Sequence, residues 1–140
     1  MGNIAVVYWS GTGNTEAMAN LVKEGVESVG GSAELIQAID FSSAQLDNFD
    51  AFAFGCPAMG NEELEDSEFE PMWNEVEPHL SGKRVALFGS YDWGTGEWME
   101  TWQQRALDVD ADVMVTVIAN LYPEGEAVEA CKNLGAELAS

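Results

Sequence analysis

Short unbroken apolar runs along this chain alternate with longer stretches in which apolar residues return every three or four positions. Ile4 to Trp9 is the first run, rich in β-branched and aromatic residues, and predicts a strand covered on both faces. From Asn14 onward, Met18, Leu21, Val22, Val26 and Val29 recur at helical spacing, and Gly30-Gly31 supplies a stop. A more polar strand is predicted over Ala33 to Ile39, with the pattern of a sheet edge. Ala51 to Gly55 is another short buried strand, ending in GCPAMGNEE. Phe69, Met72, Trp73, Val76 and Leu80 then mark a helix closed by Ser81-Gly82, with His79 near its end, where a positive charge complements the helix dipole. Val85 to Phe88 predicts a strand that runs into the loop GSYDWGTG. Trp98, Met99, Trp102 and Ala106 line one helix face, Val113 to Ala119 form a strand, and Ala127, Val128, Cys131, Leu134 and Leu138 mark a last helix.

Strands alternating with helices predict an α/β fold: a doubly wound parallel sheet with helices on both faces. Right-handed crossovers leave few windings, and five strands in the order 2-1-3-4-5 is the common one at this length. The 140 residues suit a single domain over 1–140, without repeats, linkers or low-complexity segments. In such a sheet ligands bind beyond the carboxyl ends of the strands, where the strand order reverses. That point lies between the first and third strands. It gathers SGTGNT, CPAMGNEE and the loop after the fourth strand, which are also the most unusual stretches of the chain.

Charge narrows the partners. Twenty-five acidic residues face five basic ones, for a formal charge of −20. A field of that sign repels nucleic-acid backbones and anionic lipid, and attracts a protein that carries a basic patch. The start, MGNIAVVYWSG, lacks the basic and long apolar regions of a signal peptide, and no apolar run approaches a membrane span. Two cysteines, Cys56 and Cys131, form no disulfide framework and suggest a reduced cytoplasmic setting. Both read as buried thiols, and one isolated histidine makes neither a metal site nor an acid–base pair.

The loop Ser10-Gly11-Thr12-Gly13-Asn14-Thr15 joins a buried strand to a helix. Two glycines let successive N–H groups turn inward, and the helix start adds a positive dipole. Lys and Arg are absent from it, so it is not a Walker A loop; it suits a terminal phosphate held by neutral donors, or else is an ordinary capped turn. Ala58-Met59-Gly60-Asn61-Glu62 carries a turn signal in which Asn61, at the third position, takes the positive φ of a type II turn. Ser90-Tyr91-Asp92-Trp93-Gly94 places large aromatics on a loop, where Trp93 either packs on its neighbours or covers something flat.

Taken together, YWSGTGNTEAMA (8–19), GCPAMGNEELEDSEFEP (55–71) and ALFGSYDWGTGEWM (86–99) resemble the short-chain flavodoxins of anaerobic bacteria, over nearly the whole chain. The resemblance implies a flavodoxin-like fold and one bound flavin mononucleotide (FMN). Ser10 to Thr15 would hold the phosphate. Met59 and Trp93 would flank the ring, Glu62 would bond its pyrimidine edge, and backbone near Asp92 and Gly94 would bind the O2/N1 side. It also implies a low-potential one-electron carrier that shuttles between semiquinone and hydroquinone in place of ferredoxin, with no catalytic residues and no metal. Two positions depart from the family's pattern. Asp92 stands where glycine is familiar, and Pro57 where a serine can help with phosphate.

Further expectations concern mechanism and partners. A flip of the Gly60–Asn61 peptide would offer the Gly60 carbonyl to the flavin N5–H. Asp92, near N1, would make the last electron harder to add. Glu63, Glu65, Asp66, Glu68 and Glu70 would form a docking rim for basic-patch ferredoxin- or flavodoxin-dependent oxidoreductases, met transiently by a monomer; otherwise they are a solvated acidic face. A response-regulator receiver domain shares the winding, but its acidic pair, aspartate and lysine are replaced by Trp9-Ser10, Gly55-Cys56 and Ala119-Asn120. A low-molecular-weight phosphatase would need Cys-x5-Arg after the first strand, which is missing. An FMN-dependent quinone or nitro reductase would leave one flavin face open to substrate.

Overall fold

The computed structural model describes residues 2–140; Met1, part of the N-terminal stretch read above, lies outside them. Five strands form one sheet in the order β2-β1-β3-β4-β5, every neighbouring pair parallel. They are β1 (Asn3–Tyr8), β2 (Ser32–Gln37), β3 (Ala51–Gly55), β4 (Arg84–Tyr91) and β5 (Asp112–Asn120). The helices are α1 (Asn14–Ser28), α2 (Phe69–Val76), α3 (Glu97–Asp108) and α4 (Glu126–Ala139).

The unbroken apolar runs are explained by two cores, one on each face. Alternate side chains of a strand point to opposite faces. Ile4, Val6 and Tyr8 therefore pack with Met18, Val22 and Val26 of α1 and Leu134 and Leu138 of α4. Ala5 and Val7 face the other way, toward Trp73 of α2 and Trp102 of α3. Cys131 lies in the first core and Cys56 in the second, each a free, buried thiol. Burial pushes the Cys131 thiol up to about 12. The second core is aromatic: Trp73 meets Phe54 and Trp102 edge-on, with centroids 5.2 and 5.5 Å apart. Arg105 of α3 straps it from outside, with a two-pronged bond to Glu70 (2.7 and 3.0 Å) and a third contact to Glu77. Among the described residues no helix is long and apolar enough to cross a membrane.

The structure corrects several boundaries. Strand β2 stops at Gln37, and Ile39, predicted to be in it, sits 65% exposed in a 3-10 turn over Ala38–Asp40. Beyond Gln37 there is no further β1 residue to pair with, because β1 ends at Tyr8. A second 3-10 turn, Ser43–Asn48, begins with a capping box between Ser42 and Gln45. The second helix is shorter than its apolar spacing suggests. It gives way at Glu77 to a 3-10 turn containing Pro78 and ending at the exposed His79. Strand β4 continues past Phe88 through Gly89, Ser90 and Tyr91, where the sequence predicts loop, because β5 is long enough to pair with all three. Met114 is skipped in that pairing, as a bulge.

Glu65 is the largest change of role. The acidic run predicts it on a docking rim or a solvated acidic face, yet it is buried, 4% exposed. Its carboxylate accepts the N–H groups of Ser67, Glu68 and Phe69, each at 2.8 Å, and the Ser67 hydroxyl. It thereby caps the start of α2. Burial raises its pKa, but the bonds from Ser67, Phe69 and Glu68 outweigh that and hold it below the usual carboxylate value. A lowered pKa in the folded state means that this stabilisation is fully present above about pH 4.5 and is lost as pH falls through the lowered value. Glu65→Ala should therefore cost about 2 kcal/mol at neutral pH. Urea unfolding of the two proteins at pH 7 and pH 3 checks this, the gap narrowing at pH 3. Glu70, partly exposed, is paired with Arg105.

Candidate functional site

The C-terminal ends of β1, β3, β4 and β5 meet at a cleft of about 310 Å³, near the lower end of the roughly 300–1,000 Å³ usual for ligand clefts. It is lined by Trp9, Gly11, Thr12, Asn14, Pro57, Ala58, Met59, Gly60, Glu62, Ser90, Tyr91, Asp92, Trp93 and Leu121. Most residues picked out in the three loops are thus brought together. Ser10 and Gly13 line an adjoining polar hollow beside Tyr8 and Glu16. Asn61 is exposed on the rim, and Thr15 is buried.

The first loop is built from inside. The Ser10 hydroxyl accepts the N–H groups of Gly13 (3.1 Å) and Glu16 (3.2 Å), folding the loop back on itself. Gly13 takes φ +96, a left-handed conformation that disfavours a side chain. Among the described residues the N–H groups of Gly11, Thr12, Asn14 and Thr15 have no protein acceptor. Successive unpaired donors at a helix start make an anion cradle. The Thr15 side chain is turned away from it: its hydroxyl oxygen accepts the Ser90 N–H (3.4 Å) and pins α1 to β4. Thr15 offers the cradle its backbone N–H, therefore, more than its hydroxyl.

The second loop is a hairpin. Met59 and Glu63 exchange both backbone bonds, at 2.8 and 2.9 Å. Positive φ falls on Gly60 (+49) and Glu62 (+56), and not on Asn61 as the turn signal suggested. Closing Met59 on Glu63 makes a three-residue loop, whose last residue is the one driven left-handed. The Glu62 carboxylate reaches across and accepts the N–H groups of Gly96 (3.0 Å) and Glu97 (2.9 Å), capping α3. A Cβ on Gly94 would sit 2.7 Å from that carboxyl carbon, so Glu62 and Gly94 fit as a pair.

The third loop, Asp92–Gly96, carries Trp93 with 62% of its surface exposed; Met59, also at the cleft, is 38% exposed. Large apolar side chains held out at the mouth of a cleft mark a binding surface. Asp92 is exposed and lines the cleft without positive φ, so its backbone does not demand glycine. Sequence reasoning missed the fourth contributor. At the end of β5, Asn120 donates its side-chain amide to the carbonyls of Tyr91 and Asp92, both at 3.2 Å, and Leu121 lines the cleft. The signal for it was present, since Leu121-Tyr122 is an apolar pair just beyond a strand at the ligand-binding end. Among the described residues no cluster of three or more His, Cys, Asp or Glu could hold a metal.

Comparison with known proteins places this architecture. The flavodoxin family profile matches residues 6–138. A flavodoxin of Megasphaera elsdenii is 48% identical over 94% of this chain and 95% of its own length. One of Clostridium beijerinckii is 42% identical over 96% and 98%. The solution structure of the two-electron reduced M. elsdenii flavodoxin superposes with a TM-score of 0.91, covering 97% of this chain and 98% of that one. The chain belongs to the flavodoxin family.

Proposed function

We infer that this flavodoxin, an FMN-binding electron carrier, works at low potential, passing single electrons to enzymes that ferredoxin also serves. The observation that carries this is the pairing of an uncharged anion cradle with a cleft walled by exposed Met59 and Trp93. The residues fit FMN: unpaired N–H groups at Gly11, Thr12, Asn14 and Thr15 suit a terminal phosphate, and the apolar walls suit a flat ring. Bound FMN supplies the one-electron chemistry, and the chain supplies binding, orientation and electrostatics. Gly60, with open space where a Cβ would be, leaves its peptide free to turn toward the ring.

Low potential follows from charge. A formal −20 and the exposed Asp92 carboxylate on the cleft oppose further negative charge there. Asp92→Asn is expected to make the lower of the two one-electron couples less negative. Spectroelectrochemistry of the two proteins checks it, and no shift, or a shift the other way, would refute this account of the potential.

The same field selects basic partners. Of the acidic residues expected on the rim, Glu63 and Asp66 are exposed and Glu68 and Glu70 partly so, whereas Glu65 is buried in the fold. Docking is then transient and electrostatic, by a monomer, with association slowing as salt rises. Two unbridged, buried cysteines agree with a reducing cytoplasm.

A further inference from the structure

We propose that Asn120, together with the backbone of Leu121, is a positioning element that turns the carbonyls of the Tyr91–Asp92 segment out of the cleft and so leaves its N–H groups facing the acceptor edge of the flavin ring. The inference rests on the FMN reading above and adds the residues that select the polarity of that edge.

Four bonds tie the end of β5 to this segment. The Asn120 amide donates to the carbonyls of Tyr91 and Asp92, both at 3.2 Å. The Leu121 N–H donates to the same Tyr91 carbonyl at 2.8 Å. The buried Ser90 hydroxyl donates to the Leu121 carbonyl at 2.6 Å. The Tyr91 carbonyl thus accepts twice and the Asp92 carbonyl once, from the last residue of β5 and the residue after it. Meanwhile, among the described residues, the N–H groups of Asp92, Trp93 and Gly94 have no protein acceptor. With the Tyr91 and Asp92 carbonyls occupied from behind and the N–H groups of Asp92, Trp93 and Gly94 unpaired in front, this stretch offers donors to a ligand's oxygen or ring nitrogen.

The backbone of Leu121 points the same way. It adopts φ +59, which a leucine takes only against steric resistance. Both its N–H and its carbonyl are used in the clamp, so the surrounding bonds hold it there. Glu62 holds the far end of the loop through Gly96 and Glu97, so the segment carrying Asp92 and Trp93 hangs between two anchors. Asn120 is exposed at the strand end, where substitution leaves both cores untouched.

Asn120→Ala removes the donor, and Asn120→Asp keeps the shape but faces the two carbonyls with an acceptor. The amide resonances of Asp92–Gly94 are read first by NMR in FMN-free protein, and these should shift and exchange faster in both variants. FMN affinity should fall about tenfold for Asn120→Ala, as for the loss of one or two hydrogen bonds, and further for Asn120→Asp. The lower one-electron couple should become more negative while the upper one stays put, because the misaligned donors are those that meet charge on the pyrimidine side. Unchanged amides with an unchanged lower couple would overturn the proposal. So would equal movement of both couples, which reports general loosening. If the parent protein took no FMN, the carrier reading would fail, while the amide signals would still judge the clamp.

Discussion

Thr12→Glu should lower the affinity for FMN by about a thousandfold or more while leaving riboflavin binding nearly unchanged. Thr12 is exposed at the cradle, between the left-handed Gly13 and the tight Gly11, and its N–H is among those without a protein acceptor. The cradle works without a cation. Gly13 and Glu16 donate to the Ser10 hydroxyl, which curls the chain, and the remaining N–H groups point to one place. Nothing there offsets a second anion. Two unit charges about 4 Å apart interact by about 4 kcal/mol at an effective dielectric of 20, and about 1.4 kcal/mol is tenfold in affinity. Riboflavin has the ring but no phosphate, so a carboxylate in the cradle repels only the first ligand. Isothermal titration of both ligands into both proteins measures the ratio. Equal losses for the two would mean that the loop had been distorted and the cradle assignment was wrong.

Gly25→Val is expected to cost about 3 kcal/mol or more of folding stability and to lower the melting temperature by about 10 °C. Gly25 lies in the middle of α1, where a Cβ would fall 1.9 Å from the backbone oxygen of Lys132 in α4. Gly135 of α4 returns the contact: its Cβ would lie 2.0 Å from the Val22 oxygen of α1. The two helices therefore touch backbone to backbone, and a rotamer change cannot relieve the clash. In an exposed helix, glycine is about 1 kcal/mol worse than alanine, so Gly25→Ala would be stabilising if intrinsic propensity decided. Here it should be destabilising, and that reversal of sign is the sharper check. Glu27→Ala, on the exposed side of the same helix, should stay within about 0.5 kcal/mol of the parent. Because α1 begins at the cradle, forcing it away from α4 should weaken FMN binding as well. Calorimetry with and without FMN separates the two effects.

The parts of this molecule visible in its sequence are those governed by local pattern. Ala51–Gly55 is a strand with the bounds its apolar run suggests, because all five residues are buried. The three loops fall at one end of the sheet because parallel winding puts every βα junction on the same side. What escaped depends on partners distant in sequence. Glu65 reads as one acid among many, and only the fold of 64–68 shows it buried over a helix start. Glu62 reads as a ring contact, and its second task, capping a helix that begins thirty-odd residues later, is invisible in the sequence. Asn120 and Leu121 look like the end of an edge strand, and their importance comes from Tyr91 beside them in the sheet. Gly25 is visible as a poor helix former, but Lys132, its reason for being there, belongs to α4.

One titration bears most directly on the whole account: FMN added to protein stripped of flavin, followed by flavin fluorescence, with riboflavin run in parallel. The account predicts quenching that saturates at one FMN per chain, with riboflavin bound far more weakly because it cannot use the loop at Ser10–Thr15. Fluorescence that rises in proportion to added FMN, or riboflavin binding as tight as FMN, would contradict it.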